Sequence, residues 1–228
     1  MSRAPSTAYG DPLGWPGTVH GLPYASAVEL LAQRTGLRCY VFALDQAKRS
    51  GAAVHDVRAK RIVMRTHTRS ENPLTASHER RMFMRDMRSL PDFDWSRVLV
   101  VFEDHSTIPL EFTRGKGPSA KKVVMGKKSI LSLGATWGEW RELLNIVEHP
   151  PSQRILVEPK EWRRVLSTGC NVGTEAWKAQ AKMWASAVVG APVEDDNEAE
   201  ACGIATWGAF DGLYLWARAQ LAQKAKSA

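Results

Sequence analysis

Apolar and polar positions change period along the chain, and the changes mark its elements. Cys-Tyr-Val-Phe-Ala-Leu at 39–44 is a compact apolar run of strand length, closed by Asp45. After a loop over 46–51, two more short runs at 52–57 and 61–66 predict strands, so three strands with short links come first, as in an antiparallel meander. Residues 75–89 then take a helical period, with Met82, Phe83 and Met87 inward, Arg80, Arg81, Arg85 and Arg88 largely outward, and Pro91 as the stop. Arg-Val-Leu-Val-Val-Phe at 97–102 is nearly continuous in apolar residues, the pattern of a strand covered on both faces, and it ends in Glu103. A basic loop follows. The pattern then predicts a helix over 130–147, a strand over 154–157, and helices over 159–166, 174–189 and 197–223. Upstream, residues 1–24 are rich in Pro, Gly, Ser and Thr and read as an arm. A short helix is predicted over 26–34, where Val28, Leu30 and Leu31 share a face and Gly36 stops it. The order βββαβαβαα predicts one α/β domain over 38–228, preceded by an extension over 1–37.

Composition narrows the class. The 228 residues are 44% hydrophobic and 24% charged, which excludes a wholly disordered chain and a disulfide-stapled miniprotein. No apolar run reaches the roughly 18 residues of a bilayer span, and the N-terminus lacks the apolar core of a secretory signal. Cys39, Cys170 and Cys202 are an odd number without CxxC spacing, so reduced thiols in a cytoplasmic setting are expected and a zinc site is not. Lys and Arg outnumber Asp and Glu by 31 to 24, a formal charge of +7 and a pI near 9.5, which favours polyanionic partners.

Candidate chemistry lies at strand ends. Asp45 closes one apolar strand and Glu103 another; as parallel neighbours, both would emerge at the carboxyl edge of the sheet, where open α/β sheets place ligands. An acid ending a strand is most often a solvated loop residue, but the pair is more informative than either member. A third feature, residues 194–200, holds five acids (Glu194, Asp195, Asp196, Glu198, Glu200) in seven positions of a basic protein. A first helical turn favours acids, with Asp195 or Asp196 as N-cap, yet does not require so many. Asp196 and Glu200 are spaced i, i+4 and Asn197 and Glu200 i, i+3, so they share a side of the helix. Crowded carboxylates repel unless a cation sits among them, and an oxygen-only set suits Mg²⁺ or Mn²⁺ better than zinc.

Positive charge is placed elsewhere. Arg114, Lys116, Lys121, Lys122, Lys127 and Lys128 follow one another without an acid, with Gly115, Gly117 and Gly126 between them. Five more basic side chains lie between Arg58 and Arg69. Such runs are often only solvated faces, but flanking an acid cluster they suit binding of a phosphate backbone. His55, His67, His78, His105 and His149 have no ligand spacing and read as structural or surface residues. Trp177, Trp184, Trp207 and Trp216 read as core. Walker, GxGxxG, GxSxG and HExxH motifs are absent, which removes the common nucleotide-binding and hydrolase classes.

Four motifs in order then give a resemblance. They are Phe42-Ala43-Leu44-Asp45-Gln46-Ala47 followed by Ser50-Gly51-Ala52-Ala53; Val100-Val101-Phe102-Glu103-Asp104; Val157-Glu158-Pro159-Lys160-Glu161-Trp162-Arg163-Arg164-Val165-Leu166 with Gly173-Thr174-Glu175-Ala176-Trp177-Lys178-Ala179-Gln180; and Asp195-Asp196-Asn197-Glu198-Ala199-Glu200-Ala201-Cys202-Gly203-Ile204-Ala205. Together they resemble RuvC-type Holliday junction resolvases, particularly phage-encoded relatives, within the RNase H-like superfamily. The resemblance implies a mixed five-stranded sheet, three antiparallel strands then parallel ones, flanked by helices. It implies Asp45 and Glu103 as metal-bridging acids, Glu200 at the final acid position, and Lys178 as the basic residue that approaches the scissile phosphate. The family's partner acid falls on Asn197, a departure; Asp196 substitutes for it or Asn197 ligates through its carbonyl. A Glu rather than an Asp at 200 is a second departure. The implied activity is two-metal hydrolysis of four-way DNA junctions with Mg²⁺, Mn²⁺ substituting, by a homodimer. The alternatives are an RNase H-like nuclease acting on flaps, forks or RNA–DNA hybrids, and a branched nucleic-acid-binding module with a degenerate metal site.

Overall fold

The computed structural model describes residues 18–19, 22–23, 30, 40–46, 49–104, 111–114, 121–165 and 174–227. The expected arm and first helix, His105, Lys116, Cys39 and Cys170 lie outside the described residues, apart from a two-residue ladder pairing Thr18–Val19 with Leu22–Pro23 and the helical Leu30.

Five strands form the central sheet: β1 (Tyr40–Asp45), β2 (Gly51–Asp56), β3 (Arg61–His67), β4 (Val98–Glu103) and β5 (Arg154–Val157), in the spatial order 3-2-1-4-5. β1 pairs antiparallel with β2, and β2 with β3, across short connections. β4 lies parallel to β1 and β5 parallel to β4. Parallel pairing needs a crossover, supplied by two helices, α1 (Pro73–Asp86) between β3 and β4 and α2 (Lys127–Ile146) between β4 and β5. This is the RNase H-like mixed α/β fold. A turn of helix (Pro159–Trp162), α3 (Thr174–Val189), α4 (Asp196–Trp207) and α5 (Leu213–Ser227) follow.

Strand alternation sends the two faces into two cores. Tyr40, Phe42 and Leu44 of β1 and Val98, Val100 and Phe102 of β4 meet Phe83, Met84 and Met87 from the α1 side and Trp140, Leu143 and Leu144 of α2. Val41, Ala43, Leu99 and Val101 face the other way, onto Cys202, Ile204 and Trp207 of α4 and Trp184 of α3. β1 and β4 are thus buried on both sides, as their continuous apolar runs predict.

Several elements differ from the sequence expectation. The basic stretch is partly a hairpin, Glu111–Arg114 paired with Lys121–Val124, not a loop throughout. The last predicted helix is two, α4 and α5, joined by a π turn over Gly208–Gly212. A Cβ at Gly208 would stand 2.6 Å from a Val41 methyl and 2.7 Å from a Val101 methyl, so a glycine is needed where this helix crosses the sheet. Met84 rather than Met82 completes the inward stripe of α1.

Arg80, expected outward, is buried at 5% exposure. It ion-pairs with Glu139 of α2 at 2.5 Å, donates to the Ser50 and Thr68 hydroxyls, and lies over the Trp140 ring. A buried guanidinium must offset its charge inside the fold; Glu139 does so at Nη2 and the Ser50 and Thr68 hydroxyls accept from Nη1, while Nε has no hydrogen-bond partner among the described residues. These contacts tie α1 and α2 to the segments flanking β2 and β3.

Candidate metal centre

Register builds the site. Leu44 pairs with Phe102 in the parallel β1–β4 ladder, so the next residues, Asp45 and Glu103, end neighbouring strands at one edge. Alternation directs both toward the face covered by α4, and both are buried, at 3% and 5% exposure. The N-terminus of α4 reaches the same edge. Asp195 caps it, accepting from the backbone N–H of Asn197 and Glu198. The first turn rests on Gly51, the partner of Asp45 in the β1–β2 ladder, so closely that a Cβ there would lie 1.9 Å from the Asn197 carbonyl oxygen. From β3, Arg65 pairs with the buried Glu198 at 2.6 Å and His67 Nδ1 lies 3.1 Å from its other oxygen. Glu200, two residues on, then reaches the strand ends.

Asp45, Glu103 and Glu200 each offer a carboxylate oxygen, and these oxygens lie within 4.8 Å of one another. Three hard oxygen donors, two of them buried and Glu200 half-buried, could hold a divalent cation such as Mg²⁺ or Mn²⁺, and among the described residues no thiol or imidazole joins them to favour zinc.

The electrostatics fit the same conclusion. Burial pushes the Glu103 carboxyl above the usual carboxylate range, against a hydrogen bond from Trp162 and the nearby charge of Arg163. Burial also raises Glu200, and the Glu103 charge beside it raises it further, with Arg163 and the Trp177 indole opposing. Both carboxylates are therefore short of compensation for their ionised forms, which a bound cation would provide. Trp162 Nε1–H donates to Glu103 Oε1 at 3.0 Å, and the exposed Arg163 guanidinium lies 5.4 Å from the ring centres of both Trp162 and Trp177.

The other expected site residues sit around this pocket. The Asp196 carboxylate receives Lys178 Nζ at 2.8 Å and Lys182 Nζ at 3.0 Å. The Asn197 side-chain amide donates to Asp195. Asp45, Glu103 and Glu200 are thus brought together, whereas Asp196 and Asn197 have other partners. Arg114 and Lys121 are backbone ladder partners in the basic hairpin, and Lys122 and Lys127 are exposed.

Sequence reasoning missed Trp162 and Arg163 as neighbours of the acids, and assigned Trp177 to the core alone. The signal was available: Trp162 lies five residues past the end of β5, beside the strand carrying Glu103. His149 is structural, as expected. Its Nε2 meets the Val98 carbonyl at 2.8 Å and its Nδ1 accepts from Arg154, while burial lowers it to about 4. Burial likewise lowers His55 to about 3 and raises the Cys202 thiol to about 12, so neither ionises near neutral pH.

No family profile and no curated protein matches the sequence. Among solved structures, the chain is similar to Thermus thermophilus RuvC in complex with a Holliday junction substrate, at 15% identity over 76% of this chain and 94% of that one, with a TM-score of 0.47. It is also similar to a second Thermus thermophilus RuvC structure, at 14% identity over 76% and 95% of the two chains, with a TM-score of 0.43.

Proposed function

We propose that this chain is a divalent-metal-dependent endonuclease that hydrolyses phosphodiesters in branched DNA, with the four-way junction as its preferred substrate. The observation that carries the reading is the convergence of the buried Asp45 and Glu103 with the half-buried Glu200 at the carboxyl edge of the sheet. Mg²⁺ fits this donor set, and Asp45, Glu103 and Glu200 would hold it. When bound, two such ions supply an activated water and charge stabilisation for the leaving 3′ oxygen.

The chain's own residues prepare that chemistry. Asp45 is fixed by the end of β1, and Trp162 holds one oxygen of Glu103 through its indole N–H. Arg163 and Lys178 put positive charge beside the acids, where a phosphate would enter. Arg114, Lys121 and Lys122 of the hairpin, Lys127 and Lys128 at the start of α2, and Lys116, which lies outside the described residues, would bind the phosphate backbone beyond the cut. Junction preference rests on the ordered motifs, and symmetric cutting of a four-way junction needs two sites, hence a homodimer.

The test is a nicking assay on a synthetic four-way junction with and without Mg²⁺. Wild type is expected to cut only with the metal, and Asp45→Asn to bind the junction while losing cleavage by at least about 100-fold. Equal cutting by both proteins would remove the assignment. Faster cutting of flaps, forks or RNA–DNA hybrids would keep the nuclease and change its substrate. A second reading, a binding module, is favoured by Asn197 and Asp196 turning to other partners; junction binding without product under any divalent metal would select it.

A further inference from the structure

Asp196 is held by more positive charge than a surface carboxylate needs. Lys178 and Lys182 stand one turn apart on α3, and both ammonium groups reach its two oxygens, at 2.8 and 3.0 Å. Asp196 is also the first residue of α4, where the helix dipole attracts an anion. All three side chains are about one third exposed, at 29% for Asp196, 36% for Lys178 and 35% for Lys182, so an incoming ligand can reach them. The cluster borders the three-carboxylate pocket, because Asp196 and Glu200 are spaced i, i+4 on α4.

We propose that Asp196 stands in for a nucleic-acid phosphate, holding Lys178 and Lys182 in the paired arrangement in which they grip the backbone of a bound strand, and that Lys182 is thereby a nucleic-acid contact. A carboxylate and a phosphate both present two acceptor oxygens to ammonium donors, so the bound strand competes with Asp196 for the same pair. The charges support this. Burial works to raise the Asp196 carboxyl, but hydrogen bonds and charge from both lysines outweigh it and hold it below the usual range. Lys178 is raised chiefly by Asp196, with smaller contributions from Glu175 and Glu200. Asp196 therefore restrains binding until a polyanion displaces it, a role opposite in sign to that of a metal ligand.

The proposal rests on the nucleic-acid reading above, and its test separates the two. Binding of a fluorescent four-way junction is measured by anisotropy in EDTA over a salt series, so that no metal contributes. Freed from two partly exposed ion pairs, Asp196→Asn is expected to bind about 2- to 30-fold tighter than wild type. Lys182→Gln is expected to bind more weakly, with a salt slope smaller by about one. Glu194→Gln removes an exposed acid two residues away and controls for net charge; it is expected to change affinity by less than about 2-fold. Circular dichroism establishes that each variant is folded. Asp196→Asn binding no tighter than wild type, or Glu194→Gln matching it, overturns the proposal while leaving the nuclease reading in place. Wild type that binds no nucleic acid overturns both.

Discussion

Gly51 is the position where one methyl group should do most damage to the site. Its missing Cβ leaves room for the first turn of α4. A Cβ built there would lie 1.9 Å from the Asn197 carbonyl oxygen, 2.3 Å from its carbon and 2.9 Å from the Glu198 nitrogen. All three are backbone atoms, so no side chain can swing aside. Reaching even 3.0 Å, the floor for real contacts, requires β2 and α4 to part by about 1.1 Å. Gly51 is the ladder partner of Asp45 and Glu200 lies three residues past Asn197, so the displacement separates the acids. Overpacking of this kind costs about 1–3 kcal/mol, which for a chain of this size lowers Tm by roughly 2–12 °C. A misplacement of about 1 Å costs activity of order 100-fold. The assay compares Gly51→Ala with wild type by thermal denaturation, by Mn²⁺ titration calorimetry and by junction cleavage. Gly138→Ala is the control, because an added Cβ there meets nothing within 4 Å and alanine suits a helix interior. Wild-type Tm and metal affinity in Gly51→Ala would refute the idea that α4 is seated by this contact.

Three further outcomes follow. Trp162→Phe keeps most of the ring but removes the N–H that Glu103 accepts, so Glu103 should rise further and the acid limb of the pH–rate profile should move to higher pH; an unmoved limb would separate Trp162 from the chemistry. Arg80→Met leaves Glu139 facing a buried hole in the ion pair and should cost about 3–5 kcal/mol by urea denaturation, against less than about 1 for an exposed pair such as that of Arg49 with Glu71. In EDTA, stability should fall as pH rises through the Glu103 and Glu200 titrations. Both are raised in the fold, so between the unfolded value of about 4.5 and the higher folded values the native state holds more protons and loses stability with rising pH, by up to about 1.4 kcal/mol per pH unit for each group. Divalent metal should flatten that slope, which Tm measured from pH 4 to 8 will show.

The strands and the acids at their ends were legible because their signal is local. A buried parallel strand is a run of apolar residues, and the carboxyl edge is where the run stops, so Asp45 and Glu103 declared themselves by position. The acidic start of α4 was visible for the same reason. What sequence could not divide was the acid cluster itself. Glu198 lies beside Glu200 in sequence, but its partners Arg65 and His67 come from β3, more than 130 residues earlier. Arg80 misled because helical periodicity treats every arginine as outward; its burial is explained by partners distant in sequence, above all Glu139, fifty-nine residues away. The hairpin Glu111–Arg114 with Lys121–Val124 was hidden because lysines and glycines dominate the stretch, and its pairing is carried by backbone groups that composition does not reveal.

The distribution of charge explains why so basic a protein concentrates acids in one turn. Glu198 answers Arg65 and His67 and locks α4 to β3. Asp196 answers Lys178 and Lys182 and couples α4 to α3. Asp195 answers the backbone N–H groups at the start of the helix. Each of these acids thus has a structural partner that fixes where the helix begins. Glu200 differs, because it points back to Glu103 and Asp45, and Arg163 with the indoles only partly offsets their burial. Two carboxylates kept above their usual range at close quarters are costly to ionise, and a fold selected for stability alone would gain by replacing either with an apolar side chain of similar volume. Three acids held together by separate parts of the chain, next to a helix start where Asp195, Asp196 and Glu198 each have a partner, form a cluster that could hold a cation, which would make their proximity favourable.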